Sequence, residues 1–518
     1  MKQFLHNGVM IPAAYEPRGF TIKVLGKQVN LTPLQEEMAV KFVQKFGTPY
    51  VEDKRFCANF MEDFAKALGI KGKLAKEDVD WSPILRWVES ERARKANMPK
   101  DERKKLAAER KLIREQNKER YGWATVDGQK MELGNYAVEP PSIFMGRGRH
   151  PKRGKWKASI STKDVELNLS PNAPMPPGEW KGRVWRPDEM WVARWVDPLA
   201  GKVKYIWLAE HTPIRQEKFQ DKFKLAEQLD HELGKVRAHI NEGLVSPDER
   251  RRKVATVAAL IDLLKLRVGD EKDVKEEADT VGATTLRREN IAFNGGTKVE
   301  FDFLGKDSVR YHKEVELPNE VVANLKEFVS KSNSVVFDGI SSNHVRDFFR
   351  EVMPGLSPKV FRTYAATNTF RDAFKQIRIK ADDDDTTKLQ ALQKANAAVA
   401  ELMNHQKAPP KRWKEVYDKR KKMLAELEGK ETKSAAKRRV ALKARLENMR
   451  LTKTLNLGTS LKNYISPYAV KELCDEVQFD WRKFYPKALV KKFSFLESDK
   501  NGRQNRELEK EIRAEAKA

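Results

Sequence analysis

The sequence predicts a multidomain α+β protein, and three observations predict it. At 518 residues the chain exceeds the roughly 250 to 300 residues at which a single core stops growing, so about three units are expected. Apolar residues first alternate in short segments and later recur at helical spacing, the signatures of strands and of amphipathic helices. Near residue 411 the aromatics give way to a dense run of Lys, Arg, Glu and Ala, which divides the helical part in two. The expected domains are therefore 1–212, 213–408, 409–452 and 453–518.

Residues 1–212 are rich in Trp and Pro and carry the alternating Val165, Leu167 and Leu169 beside helical patches at Pro33–Phe46 and Phe56–Leu68, a mixed α/β unit. Ser90–Arg120 is charged and poor in helix breakers, so it is expected to form helices with wet faces. Residues 213–408 read as mostly helical. Val254, Val257, Ile261, Leu264 and Val268 draw one buried stripe along a helix over Arg252–Val268, with Arg267 at its end. Val299, Phe301 and Phe303 alternate, Gly305-Lys306-Asp307-Ser308 interrupts, and Val309 and Tyr311 resume, which is a hairpin with Lys306 near its tip. Ser357-Pro358 opens a helix through Phe361 and Tyr364, and Leu389–Asn404 forms another, stopped by Pro409-Pro410. Lys411–Arg450, broken near Gly429, reads as two antiparallel basic helices with 15 basic against 6 acidic residues, a net of +9. Beyond it aromatics return, Ser466-Pro467 marks a helix start, and the polar tail Glu497–Ala518 is expected to fray.

Composition excludes several classes. No apolar run approaches the ~18 residues of a membrane span, and Met1–Tyr15 lacks the layout of a secretory signal. No membrane partner is expected, and the protein is expected inside the cell, on the chromosome, in the cytoplasm or, in a eukaryote, the nucleus. Cys57 and Cys474 are the only cysteines, too few for a disulfide framework or a cysteine-rich zinc site. Lysine and arginine outnumber acids 101 to 75, a net charge of +26, and such a field points to nucleic acid because each neutralised phosphate releases counterions.

Familiar metal and nucleotide motifs fail on inspection. His231-Glu232 lacks the second histidine of a zincin. Gly148–Lys155 resembles a phosphate loop, but its glycine spacing is wrong and Trp156 stands where Ser or Thr should meet magnesium. Asp382–Asp385 is expected to be a solvated turn rather than a metal site. What remains suits the transfer of a phosphodiester onto a side chain, which needs a nucleophile, cations around the crowded phosphate and an acid for the departing oxygen.

Six segments in order carry a specific resemblance: Leu264-Lys-Leu-Arg-Val-Gly-Asp, Ala278-Asp-Thr-Val-Gly, Val299-Glu-Phe-Asp-Phe-Leu-Gly-Lys-Asp-Ser, Lys359-Val-Phe-Arg-Thr-Tyr, Asn404-His-Gln-Lys-Ala-Pro-Pro and Leu457-Gly-Thr-Ser-Leu-Lys-Asn-Tyr. They resemble the successive catalytic blocks of eukaryotic-type DNA topoisomerase IB, and Glu139-Pro-Pro-Ser-Ile-Phe-Met-Gly-Arg-Gly-Arg-His-Pro-Lys is similar to the family's DNA-contacting cap motif. Because the long charged extension of nuclear members does not precede them, the resemblance implies a short, archaeal form. Two positions depart from the pattern: Asp270 replaces an asparagine, and Leu461-Lys462 inverts the usual order.

The resemblance implies a tyrosine-recombinase-like helical core and an N-terminal cap that together clamp double-stranded DNA. It implies Tyr464 as nucleophile forming a 3′-phosphotyrosyl bond, Arg267, Arg362 and His405 on the phosphate, and Lys306 as general acid. A place for His405 in the last turn of its helix would favour the protonated ring through the helix dipole. Thr280, Asp307, Ser308, Gln406, Thr459 and Asn463 fall on positions near the cleaved strand, and Arg147 and Lys152 on the cap. No ATP, metal or other cofactor is implied. A monomer is implied, with the replication or transcription machinery as further partners and the basic hairpin as a brake on strand rotation. Two alternatives stay open. A tyrosine recombinase uses nearly the same residues, although Lys359 rather than histidine precedes Arg362 and 59 positions separate His405 from Tyr464. A basic chromatin protein would bind DNA without nicking it.

Overall fold

Two compact units appear in the computed structural model, one made of Met1–Arg215 and Lys272–Asp279, the other of Gln216–Glu271 and Thr280–Ala518. The described residues are 1–271, 273 and 276–498; the tail expected to fray lies outside them apart from Glu497 and Ser498.

The first unit has two cores. One gathers around the helices Pro33–Val43 and Lys54–Ala67, whose Phe42 and Phe60 stack at 4.1 Å between centroids. Thr32 caps the first helix in a capping box and Asp53 caps the second, satisfying amides that helix starts leave open. The other core lies under two sheets. Phe4–His6, Trp123–Val126 and Gln129–Glu132 form one, and a four-stranded sheet in the order Gly182–Val184, Glu166–Asn168, Trp191–Val196, Val203–Trp207 forms the second. Val165, Leu167 and Leu169 are wholly buried there, as their alternation predicts. The charged stretch folds into Ser82–Asn97 and Lys100–Tyr121, and the second of these buries no residue. Gly154 belongs to the glycine pair that mimics a phosphate loop. Its φ is +93°, and a Cβ there would stand 2.1 Å from the Phe56 carbonyl oxygen, so this glycine serves a close backbone crossing.

The second unit is mostly helical. Glu249–Leu264 runs through its core, with Val254 to Asp262 buried without interruption; a helix apolar all round is an interior one. Around it lie Pro213–Leu244, Asn319–Lys331, Ser342–Arg350 and Pro358–Ile377, and a three-stranded antiparallel sheet of Ile291–Phe293, Lys298–Gly305 and Val309–Glu316. Helix Pro358–Ile377 joins two cores. Val360 and Phe361 sit in the first, and Ala366, Phe370 and Phe374 sit in the second with Asp385–Leu402, Leu457–Asn463 and Pro467–Glu476. The basic stretch forms the helices Trp413–Ala425 and Lys433–Leu451 around a small core of Leu427, Ala435 and Leu442, with Gly429 left-handed at the bend.

Two helix ends differ from expectation. The helix predicted to reach Val268 stops at Leu264, because Lys265 turns left-handed (φ 56°) and the carbonyls of Arg267 and Val268 bond to a second segment. Leu389–Asn404 in fact spans Asp385–Leu402, opened by Asp384 and ended by Asn404, not by the distant prolines. The acidic run is spent on this start: Asp384 accepts from the Thr386 and Thr387 amides and Asp383 from the Lys380 amide. Among the described residues no helix is long and apolar enough to cross a membrane.

Candidate active site

Arg267 is set by backbone, not by a helix end. After Lys265 the chain leaves the helix, and the Ala283 and Thr284 amides donate to the carbonyls of Arg267 and Val268 at 2.8 and 2.7 Å. The crossing is tight, since a Cβ on Gly282 would lie 2.5 Å from the Gly269 Cα. Lys265 and Arg237 both hold the buried Asp262, at 3.2 and 2.8 Å, which anchors the helix end. The Arg267 guanidinium then donates from Nη1 to the Tyr464 hydroxyl at 2.9 Å.

Arg362 sits in the second turn of Pro358–Ile377 and is 5% exposed. Its Nη1 donates to the Lys265 carbonyl and its Nη2 reaches the Met403 carbonyl at 3.5 Å. The Nε has no partner, and Cζ lies 5.0 Å from the centroid of the Tyr464 ring. Burial lowers the pKa of this arginine, although the guanidinium remains a cation at any ordinary pH.

His405 stands just past its helix, where the sequence placed it in the last turn. Its amide donates to the Ala400 carbonyl at 2.7 Å and the Asn404 amide to Glu401 at 3.0 Å, with Asn404 left-handed at φ 53°. That is a Schellman ending with asparagine in the position usually held by glycine. The ring is 5% exposed; Nδ1 lies 2.8 Å from Ser460 Oγ and Nε2 has no partner. Its centroid is 5.3 Å from that of Tyr464. The expectation of a protonated ring is overturned. Burial, then the charges of Arg362 and Arg267, push the pKa down to about 3, and these outweigh any dipole because water is excluded.

Tyr464 closes the helix Leu457–Asn463 and is 6% exposed. Burial alone would raise its pKa, but the charges and hydrogen bonds of Arg362 and Arg267 more than offset this and leave it below the ordinary value. Lys306 lies at the hairpin tip between paired Gly305 and Val309, followed by left-handed Asp307 and Ser308. Its side chain is exposed and lines, with Arg267, Arg362 and Tyr311, a cavity of about 60 Å³. The structure thus gathers Arg267, Arg362, His405 and Tyr464 directly, and Lys306 shares a cavity with the two arginines.

The weaker candidates divide. Asn463 and Thr459 are half-buried, Asn463 Nδ2 donating to the Thr459 carbonyl at 3.2 Å, and exposed Gln406 donates to Asn404 Oδ1 at 2.8 Å. Thr280 precedes Val281, whose amide donates to Leu304 at 2.7 Å. Arg147 and Lys152 belong to the first unit. Arg147 is exposed. The Lys152 ammonium donates to the Leu199 carbonyl at 2.6 Å and pairs with Glu276, so it is largely engaged within the protein.

Three side chains escaped the sequence reasoning. Ser460 lies four residues before Tyr464, a spacing that puts both on one helix face and could have drawn attention to it. Lys222 and Lys492 donate to the carbonyls of Asn463 and Lys462 at 2.9 and 3.3 Å and both lie over the Phe219 ring. They steady the last turn before the tyrosine, and no local pattern marks residues so far apart in the chain.

Comparison with known proteins bears on these residues. The chain matches the model of the eukaryotic DNA topoisomerase I DNA binding fragment over residues 1–208, the catalytic core model over 211–438 and the C-terminal topoisomerase domain model over 436–501. It is 34% identical over 536 residues to DNA topoisomerase 1 alpha of Arabidopsis thaliana, covering 95% of this chain and 58% of the relative. With DNA topoisomerase 1 of Candidozyma auris it shares 34% identity over 438 residues, 82% of this chain and 57% of the relative. With DNA topoisomerase 1 of Homo sapiens it shares 31% over 539 residues, covering 95% of this chain and 70% of the relative. The chain belongs to the eukaryotic DNA topoisomerase I family. It spans under three fifths of the length of the plant and yeast topoisomerases it matches. Arg267, Lys306, Arg362 and His405 fall within the residues matched to the topoisomerase I catalytic core, and Tyr464 within those matched to the C-terminal topoisomerase domain.

Proposed function

We propose that this chain is a type IB DNA topoisomerase, which cuts one strand of duplex DNA through Tyr464, lets the duplex turn about the intact strand, and reseals it. One observation carries the reading. Arg362 is almost wholly buried, Arg267 is bonded to the tyrosine hydroxyl, and among the described residues neither has a carboxylate partner. Buried cations without an acid are costly, and an entering phosphate supplies the missing anion, held in two places by each planar fork.

In this mechanism the Tyr464 oxygen, its proton released to solvent under the influence of the two arginines, attacks the scissile phosphorus. The bond from phosphorus to the 5′ oxygen breaks, and the Lys306 ammonium gives a proton to that leaving oxygen. Arg267, Arg362 and the His405 ring hold the non-bridging oxygens as charge builds. Resealing is the reverse, with the 5′ hydroxyl displacing the phenol; the phosphotyrosine keeps the energy of the diester, so neither ATP nor a metal ion is required. The N-terminal unit acts as the cap of a clamp, with Arg147 on DNA phosphates, and binding is sequence-tolerant because phosphate contacts position without reading bases.

The test is relaxation of supercoiled plasmid in EDTA without ATP. Wild type is expected to relax it, whereas Tyr464→Phe binds DNA but leaves it supercoiled. Relaxation by the phenylalanine variant would remove Tyr464 as nucleophile.

A further inference from the structure

We propose that Ser460 is a positioning residue that fixes the ring proton of His405 on Nε2, so that a buried N–H faces the oxygen of an entering phosphate. The assignment follows from matching donors to acceptors once a phosphate enters. Ser460 is wholly buried, and the hydrogen-bond partner of its Oγ among the described residues is His405 Nδ1 at 2.8 Å. A helical serine can instead donate back to the carbonyl four residues earlier, as Thr363 and Thr367 do at 3.1 and 2.9 Å; Ser460 makes no such bond.

Two arrangements are open to a neutral ring. If Nδ1 carries the proton and donates to Ser460, the serine hydroxyl hydrogen is left buried without an acceptor, and the Nε2 lone pair is left without a donor. If Ser460 donates to Nδ1, the Nε2 hydrogen and the lone pairs of the serine oxygen are unmatched. The two arrangements are therefore even in the empty site, and a phosphate decides between them. Nε2 has no partner among the described residues; a phosphate oxygen beside it accepts the hydrogen of the second arrangement, whereas in the first it meets a lone pair and the buried serine hydrogen stays without an acceptor. Ser460 and Tyr464 occupy successive turns of one short helix, with the Tyr464 amide donating to the Ser460 carbonyl at 2.9 Å, so one element aligns nucleophile and phosphate donor.

Both the place of the proton and its use rest on the topoisomerase reading, and two measurements separate the proposal from that reading. Nitrogen NMR of the full chain bound to a short duplex, with ¹⁵N-labelled histidine and the His405 signals identified by their loss in His405→Gln, is expected to give the Nε2-protonated pattern. An Nδ1-protonated ring in the wild type overturns the proposal. In single-turnover cleavage of a short duplex, Ser460→Ala is expected to slow the reaction about tenfold, the scale of one oriented hydrogen bond, with DNA affinity unchanged and Ser460→Thr close to wild type. In a His405→Ala background Ser460→Ala adds nothing, because it acts through that ring; an equal loss in both backgrounds assigns it to folding and overturns the proposal. A wild-type chain that cleaves no DNA defeats the topoisomerase reading while leaving the NMR result to judge Ser460.

Discussion

At the scale of single residues the site is an exercise in keeping cations unpaired. Two guanidinium groups meet one phenol, and the phenol answers with a pKa below its ordinary value despite burial. On His405 burial acts first and the same field adds to it, since a cationic ring is desolvated and then repelled by two arginines, and the pKa falls to about 3. This has a consequence for stability. The unfolded ring takes up a proton near pH 6.5 and the folded one near 3, so unfolding binds a proton throughout that window. Stability is therefore full above pH 6.5 and declines as pH falls toward 3. His6, held down to about 4 mainly by burial, acts in the same direction, and the contrast of wild type with His405→Gln isolates one ring. Urea unfolding at pH 7.5 and pH 5.0 is expected to show a loss in the wild type on the order of 1 to 2 kcal/mol greater than in the variant. Equal losses would mean that His405 is already solvated or charged in the folded protein.

At the scale of elements, three of the five functional side chains ride on interruptions of regular structure. Lys265 is left-handed two residues before Arg267, Asp307 and Ser308 directly after Lys306, and Asn404 directly before His405. Such conformations cost non-glycine residues about 1 to 2 kcal/mol each, and each redirects the chain next to one of these side chains. The tightest of these bends depends on the Gly269–Gly282 crossing, where an added Cβ finds backbone at 2.5 Å. Backbone cannot give way as a flexible side chain can. Gly282→Ala is expected to destabilise the second unit by roughly 1 to 3 kcal/mol and to lower DNA cleavage more than DNA affinity, because it displaces the segment carrying Arg267. Cleavage at the wild-type rate would show that the crossing does not set the arginine. The helix starts at Pro358 and Pro467 were legible in the sequence because a Ser-Pro pair announces them locally, whereas the start at Asp385 was placed four residues late. The ends beside the site were not, because Lys265 and Asn404 adopt their conformations only where a second segment receives the turned chain. The stripe that continues to Val268 is real burial pressure, but its last member packs from an irregular segment past the helix end.

At the scale of the whole molecule the net charge of +26 makes any DNA complex salt-dependent. With about six or more phosphates neutralised, the slope of log affinity against log salt is expected to be roughly −5 or steeper. The basic hairpin is proposed to contribute part of that, and removal of residues 411–450 is expected to reduce the slope by about 1 or more and to speed strand rotation during relaxation. An unchanged slope and rate would leave the two helices as a spacer. What the sequence determined by itself is whatever is written locally or in strict order: the mixed first unit, the charged exposed helices, the basic hairpin, the phosphate-directed charge and the ordered blocks holding Arg267, Lys306, Arg362, His405 and Tyr464. Tertiary structure alone decided the charge state of His405, the engagement of Lys152 by Glu276 and the roles of Ser460, Lys222 and Lys492. These depend on desolvation and on partners distant in sequence, and both quantities exist only once the chain has folded and excluded water.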